Sequence, residues 1–339
     1  MKSVTVAPAF IKAMLEGAVS KGYNAEDILE AQGIPVQTLY NERLRVSSED
    51  FARLSQSLTV LLRDETMGLL AEPQKMGTFK LLARASIGSR TLAESLRQWK
   101  DGINLLAGSI SGYTQFTDDI GTYAIDAQLA SSTTTSYIIE SSLCALHRTH
   151  CWLAGDFIPI QQVQLRTPMP SYASEYRYMF FGAPVLFEQK RNAISFPRES
   201  LLLEPQRNMD ELDELLRRPQ ESILTQARHS TSVSIKLREW MERCFRQGSN
   251  NPQLPLAAIH FGTTPQTLRR RLKTEGYSFQ QLKEDTRRDL AFHLITNKHL
   301  KIEAVAFELG FTEASNFIRA FKGWTGMTPL AYRNLRRHG

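Results

Sequence analysis

Along most of the chain the apolar residues recur at three- and four-residue intervals, the spacing that gathers them on one face of a helix. Phe10, Ile11, Met14, Leu15 and Val19 predict a helix over about 7–21. A shorter one over about 25–32 is ended by Gly33 and Pro35. Ser47-Ser48-Glu49-Asp50 opens a helix carrying Phe51, Leu54, Leu58, Leu61 and Leu62. Another covers about 78–87. Thr91-Leu92-Ala93-Glu94 is a capping box for a helix bearing Leu92, Leu96, Trp99, Ile103 and Leu106. The period then drops to two. Tyr123, Ile125, Ala127 and Leu129 alternate after a turn at 118–121, so 110–129 reads as a hairpin. A helix over about 134–153 follows. Short strands are expected at 163–166, 185–188 and 193–196, with a helix over 172–179 among them. Residues 1–197 therefore read as an α+β domain, helices first.

Residues 198–232 read as the joint. An acidic helix over 209–216 is stopped by Arg217-Arg218-Pro219. Gln206-Arg207-Asn208 and Arg228-His229-Ser230-Thr231-Ser232 lack apolar periodicity and read as linker.

From 233 onward the pattern is helical throughout and contains a repeat. Ile302, Val305, Ala306 and Leu309 share one helix face, and Gly310 breaks that helix where a tight turn needs positive φ. Thr312 is the expected N-cap of the next helix. There Phe317, Phe321 and Trp324 face inward, while Ser315, Ile318, Arg319 and Lys322 face out. Thr328-Pro329 starts one more helix. Moved back by 48 residues, Ile302, Val305, Ala306, Leu309 and Gly310 fall on Leu254, Ala257, Ala258, Phe261 and Gly262. Moved back by 49, Phe317, Arg319, Phe321 and Lys322 fall on Leu268, Arg270, Leu272 and Lys273. The extra residue predicts a longer turn in the second copy. Thr264-Pro265 caps the earlier copy's second helix, whose outward face is Gln266, Arg269, Arg270 and Lys273. Between the copies, Ser278 opens a long helix to about residue 296, with Phe279, Leu282, Leu290 and Leu294 as its buried stripe. An apolar helix, a glycine turn and a basic-faced second helix, twice over, read as two helix-turn-helix motifs.

These residues resemble the AraC/XylS family of bacterial transcription regulators. The L-G-F turn, the S-x-F-x-R-x-F-K helix and the G-x-T-P-x-x-Y-R close match its signature, and T-P-Q-T-L-R-R-R-L-K resembles its first recognition helix. The resemblance is strong over roughly 233–335. It implies seven helices, with the two recognition helices in successive major grooves about 34 Å apart. The N-terminal order resembles, more diffusely, the arabinose-binding-type domain of a subgroup of that family. This implies effector sensing and self-association, and it brings no residue-level motif.

Within the resemblance, base contacts carry over to Gln266, Thr267, Arg269 and Arg270 in the first helix. In the second they carry over to Ala314, Ser315, Ile318 and Arg319. Arginine can take guanine O6 and N7 bidentately, and glutamine the adenine edge. Ala314 and Ile318 depart from the polar residues common there, so the second half-site should be read less strictly. Arg271, Lys273 and Lys322 are placed for phosphates. The partners implied are double-stranded DNA with two half-sites, RNA polymerase, a small-molecule effector and a second copy of the chain.

Charge agrees with this division. The net charge of +6 splits unevenly: from Val233 on there are 18 Lys+Arg against 9 Asp+Glu, leaving 23 against 26 before it. A basic third on a slightly acidic body suits a polyanion-binding module. Three cysteines give no disulfide framework. No apolar run reaches membrane-spanning length, and Lys12 and Glu16 interrupt the first apolar stretch, so a cytoplasmic protein without a membrane partner is expected.

Other chemistries remain open at this point. Cys144, His147 and Cys151 share one helix face with His150 nearby, a set that suits zinc or copper, or simply a packed helix. An enzyme fused to a DNA-binding tail finds no nucleophile elbow, P-loop or glycine fingerprint, and Asp118-Asp119 is explained by a turn. No catalytic residue, cofactor or resident metal is therefore expected. The leading expectation is a sequence-specific regulator, an activator answering a small molecule. A regulator switched by abundance or by a protein partner is the variant within that class.

Overall fold

The computed structural model describes residues 5–106, 108–225, 233–246, 252–296 and 300–335. The end of the expected linker, 226–232, lies outside them. The chain opens with β1 (Thr5–Val6), α1 (Pro8–Ser20) and α2 (Ala25–Ala31). β2 (Val46–Ser47) runs into α3 (Ser48–Leu62), followed by α4 (Thr78–Ile87) and α5 (Leu92–Leu106). The hairpin β3 (Ile110–Phe116) and β4 (Ile120–Ala127) precedes α6 (Tyr137–Ala154). Next come β5 (Gln162–Gln164), the one-turn α7 (Tyr176–Met179), β6 (Val185–Leu186) and β7 (Asn192–Pro197). α8 (Met209–Arg217) and α9 (Pro219–Thr225) follow. The last third holds α10 (Val233–Arg246), α11 (Leu254–His260), α12 (Pro265–Thr274), α13 (Phe279–Thr296), α14 (Ile302–Glu308), α15 (Ala314–Thr325) and α16 (Pro329–Leu335). These are the seven helices the resemblance implies, and the whole is the expected α+β part followed by an all-α part.

Differences from expectation are local. Arg217-Arg218-Pro219 does stop α8, but Pro219 also starts α9, because proline at a helix's first position loses no hydrogen bond. Besides the expected acidic helix, residues 198–225 thus hold α9 and a 3-10 turn (Arg198–Leu202). α8 itself is fastened by a full capping box between Asn208 and Glu211.

The described residues of Met1–Ile11, Glu26–Phe51 and Ser230–Gly339 form one compact unit, and those of Lys12–Ala25 and Ala52–His229 form the other. This grouping departs from the linear division at 197 and 233. The reason is side-chain burial. Leu44, 1% exposed, belongs to the same apolar core as Trp240, Leu268, Leu290 and Phe321. β1 and β2 pair antiparallel, Thr5 opposite Ser47. Asn41 Nδ2 donates to the Thr325 carbonyl at 2.9 Å.

In the other unit five strands make one sheet in the order β3-β4-β7-β5-β6, antiparallel except for β5 with β6. β4 and β7 are buried along most of their length. α6 is buried on most of its faces, which explains its weak amphipathic pattern and the uncertain ends read from sequence.

Candidate nucleic-acid interface

Each motif is built from its apolar pair outward. Leu268 and Leu272 bury one side of α12, and Phe317 and Phe321 one side of α15. All four enter a single core that also takes Ala257, Ala258, Val305, Ala306 and Leu309 from α11 and α14. α13 supplies Leu282, Leu290, Ala291, Leu294 and Ile295 to that core, so both motifs rest on one helix. Burying a leucine or phenylalanine side chain is worth about 1.5–3 kcal/mol, so these pairs fix how each recognition helix is rolled.

The turns match the sequence reading. Gly262 has φ +60 and Gly310 φ +76, the left-handed region in which a side chain is strained. Thr264 Oγ1 accepts the Thr267 backbone N–H at 3.1 Å and caps α12. The second turn is one residue longer. There Glu313, not Thr312, is the N-cap of α15, and its carboxylate accepts a bond from Ser315 Oγ at 3.1 Å. The expected cap Thr312 lies one residue before the observed one, because the longer turn shifts the helix start. Thr328 Oγ1 does cap α16, accepting Ala331 N–H at 3.2 Å.

Gln266, Arg269, Arg270, Arg271 and Lys273 are exposed on α12, and Thr267 is half-buried. On α15 Ser315, Arg319 and Lys322 are exposed, Ala314 is half-buried and Ile318 is 37% exposed. Thr267 Oγ1 accepts a bond from Thr264 Oγ1 at 2.9 Å, which orients it at the helix start. Among the described residues, the cationic groups of Arg269, Arg270, Arg271, Lys273, Arg319 and Lys322 make no ion pair or hydrogen bond. They stand free on two faces that one core holds.

Other basic residues of this unit serve the protein itself. Arg238 on α10 is buried and donates to Asp289 Oδ2. Arg288 reaches Asp289 Oδ1 at 3.4 Å. Thr5 Oγ1 donates to the same oxygen at 2.5 Å, and Arg45 Nε donates to Thr5 Oγ1 at 2.8 Å. Burial works against the Asp289 charge, but Arg288, Arg238 and Arg45, with the Thr5 bond, hold its carboxyl below the usual range. Arg333 Nε donates to the Ile295 carbonyl at 3.0 Å, tying α16 to α13. Arg287 lies over the rings of Phe245 and Phe311, 5.3 and 4.9 Å from their centroids. Sequence alone could not separate Arg238, Arg287, Arg288 and Arg333 from the exposed cations, since all of these lie on helices.

The alternative metal set is not gathered as ligands. His147 Nε2 donates to the Ile158 carbonyl at 2.8 Å, and its ring sits among Phe157, Phe181 and Phe196. Cys144 Sγ turns to the Met179 carbonyl at 3.5 Å and accepts from Arg148 Nε at 3.2 Å. His150 bonds Leu146 O and Ser95 Oγ. Cys151 Sγ lies 3.3 Å from His147 Nε2, but burial pushes the thiol up to about 12 and the imidazole down to about 3, so the pair stays neutral. Among the described residues no group of three or more His, Cys, Asp or Glu could hold a metal ion. Asp118 and Asp119 are exposed at the β3–β4 turn, closed by Thr117 N–H to Ile120 O at 2.8 Å. Among the described residues no helix is long and apolar enough to cross a membrane.

Two helix-turn-helix motifs on one core, with bare basic faces, define a DNA-binding transcription regulator. Residues 22–204 match the family described as the arabinose-binding domain of AraC transcription regulator, N-terminal, and residues 257–335 match a helix-turn-helix domain. The chain belongs to the AraC family, with an N-terminal ligand-binding domain and a C-terminal DNA-binding one. It is 24% identical over 326 residues to the ornithine utilization regulator of Pseudomonas aeruginosa, spanning 96% of this chain and 95% of that one. It is 38% identical over 71 residues to the urease operon transcriptional activator of Escherichia coli, covering 21% of this chain and 24% of that protein. Among solved structures it is similar to the transcriptional regulator CdpR from Pseudomonas aeruginosa, at 21% identity and a TM-score of 0.33, covering 91% of this chain and 96% of that one.

Proposed function

We propose that this regulator reads a two-part DNA site through α12 and α15 and activates transcription when its N-terminal domain binds a small molecule. The observation that carries the DNA reading is the pair of bare basic helix faces on one core. Gln266, Thr267, Arg269 and Arg270 read bases in one major groove. Ala314, Ser315, Ile318 and Arg319 meet the next, where Ile318 and Ala314 offer only apolar contact to a thymine methyl. Arg271, Lys273 and Lys322 hold phosphates. Reading falls to 233–339 and sensing to the N-terminal part up to about 197, with 1–11 and 26–51 bracing the reading unit. Activation implies contact with RNA polymerase, and a palindromic or repeated target would engage a homodimer; both are assigned to the cytoplasm. The relative named for ornithine utilization, aligned over nearly its full length, supports an amino-acid-type effector.

The test is selection of bound genomic fragments by the full-length protein with and without ornithine and other candidate metabolites. A shared two-part motif spaced by one helical turn, enriched further by an effector, is the expected result. Enrichment of one short element would overturn the tandem reading.

A further inference from the structure

The outward side chains at the start of α15 are unequally free. Ala314 and Ile318 have no polar side-chain atom. Ser315 Oγ donates to the Glu313 carboxylate at 3.1 Å. Asn316 is exposed, and among the described residues its side-chain amide makes no hydrogen bond. Its backbone N–H is already met by the Glu313 carbonyl at 3.2 Å, so the amide is not needed to cap the helix. Asparagine is also a poor helix former, because its amide competes for backbone groups. A residue that costs the helix and bonds nothing in the free protein points to a partner outside it.

The repeat says where that partner lies. The offset of 49 that carries Phe317, Arg319 and Phe321 onto Leu268, Arg270 and Leu272 carries Asn316 onto Thr267, one of the base-facing residues of α12. The two copies differ in what holds that position. Thr264 caps α12 with its hydroxyl and also bonds Thr267 Oγ1 at 2.9 Å. Glu313, in the same place on α15, makes no side-chain cap bond and takes Ser315 instead. Thr267 is therefore held and Asn316 is not.

Helix geometry puts Asn316 about 60° around the axis from Arg319 and about 4.5 Å before it. That rise is close to one base step of about 3.4 Å, so the two side chains face neighbouring base pairs. A recognition helix meets base edges with its N-terminal residues, and Asn316 is the third residue of α15. The Glu313 carboxylate at this end repels a phosphate, which leaves a base edge. A side-chain amide offers a donor and an acceptor together, the match for adenine N7 and N6; guanine presents two acceptors there.

We propose that Asn316 is a specificity-determining residue that reads an adenine in the second half-site, beside the base pair met by Arg319. This rests on the reading of α15 as a recognition helix. It makes two adjacent positions of that half-site strict, although Ala314 and Ile318 offer only apolar contact.

The experiment is selection of binding sites from a duplex library randomised across both half-sites, with full-length wild type, Asn316→Ala and Asn316→Asp. Single-base variants of the selected duplex are then titrated against each protein. Wild type should select adenine at one position of the second half-site and lose about tenfold or more when that base is changed. Asn316→Ala should bind all four bases there alike and keep its preferences elsewhere. Asn316→Asp has acceptors only and should shift the preference toward cytosine, whose N4 amino group donates. If Asn316→Asp does not fold, as judged by circular dichroism, Asn316→Ala still decides. A second half-site without an adenine position, an adenine preference unchanged in Asn316→Ala, or an equal loss on all four bases that keeps the preference would overturn the proposal and leave the two-part reading standing. A wild-type motif with one element, or none, would overturn both.

Discussion

The Thr5 hydroxyl donates to the Asp289 carboxylate at 2.5 Å, joining residues 284 positions apart. Asp289 sits on α13, the helix both motifs share, and also takes Arg238 and Arg288. Asp289→Ala leaves the buried Arg238 guanidinium without its main counter-charge. Breaking a buried pair in this way costs about 3–5 kcal/mol. Urea unfolding followed by circular dichroism should show that loss. Thr5→Val removes the bond to this charged acceptor, about 1.5–3 kcal/mol, and also the oxygen that accepts from Arg45 Nε.

Acid should expose the same carboxylate. Its folded-state pKa lies below the unfolded value, about 3.9 for an aspartate. The stability it adds is complete above that unfolded value and is lost as pH falls through the folded one. The gap in unfolding free energy between wild type and Asp289→Asn should therefore be widest near neutrality and close below about pH 3.9. A gap that widens in acid would contradict the ion-pair assignment.

Leu44 lies far from residue 233 in sequence yet is buried in the helical core. Leu44→Ala should destabilise that unit by about 2–5 kcal/mol, as large-to-small core changes do. The loss should appear in hydrogen exchange of α10 and α13 and leave base preference unaltered. Protection unchanged in both helices would place Leu44 outside their core.

Gly310 tests the turn. A Cβ there would meet only the Phe245 ring at 3.8 Å, an ordinary contact, so the cost of a side chain comes from φ +76 alone. Gly310→Ala should cost about 1–2 kcal/mol and Gly310→Val more, since a branched side chain fits that region worse. Melting of Gly310→Val at the wild-type temperature would mean the backbone escapes that conformation.

Readers and anchors should separate under titration. Arg270→Ala and Arg319→Ala are each expected to cost roughly 1–3 kcal/mol on the preferred site and much less on scrambled duplex. Lys322→Ala should weaken both duplexes alike and reduce the salt slope by about one phosphate's worth. Equal losses on both duplexes for the two arginines would demote them to anchors.

The helices of the last third were legible because each carries its own periodicity, cap and glycine stop, all local signals. Thr312 misled because Thr and Glu313 are adjacent and either can cap; only the path of the longer turn chooses between them. Leu44 belongs to no periodic run, so its place with α10–α16 was invisible. The exposed and internal arginines of α10, α12 and α13 look alike as letters. What distinguishes Arg238 from Arg270 is Asp289, supplied by another helix.

The bond from Thr5 to Asp289 also has a consequence for synthesis. The chain is made from its first residue, so Thr5, Leu44 and Arg45 leave the ribosome long before α10 and α13 exist. At about 5–20 residues per second, the 284 positions between Thr5 and Asp289 correspond to roughly 15–60 s of waiting. During that interval Leu44 has no core to enter and Arg45 no carboxylate to face. A nascent chain stalled before residue 282 should therefore expose these early segments to protease, and one released after residue 296 should protect them.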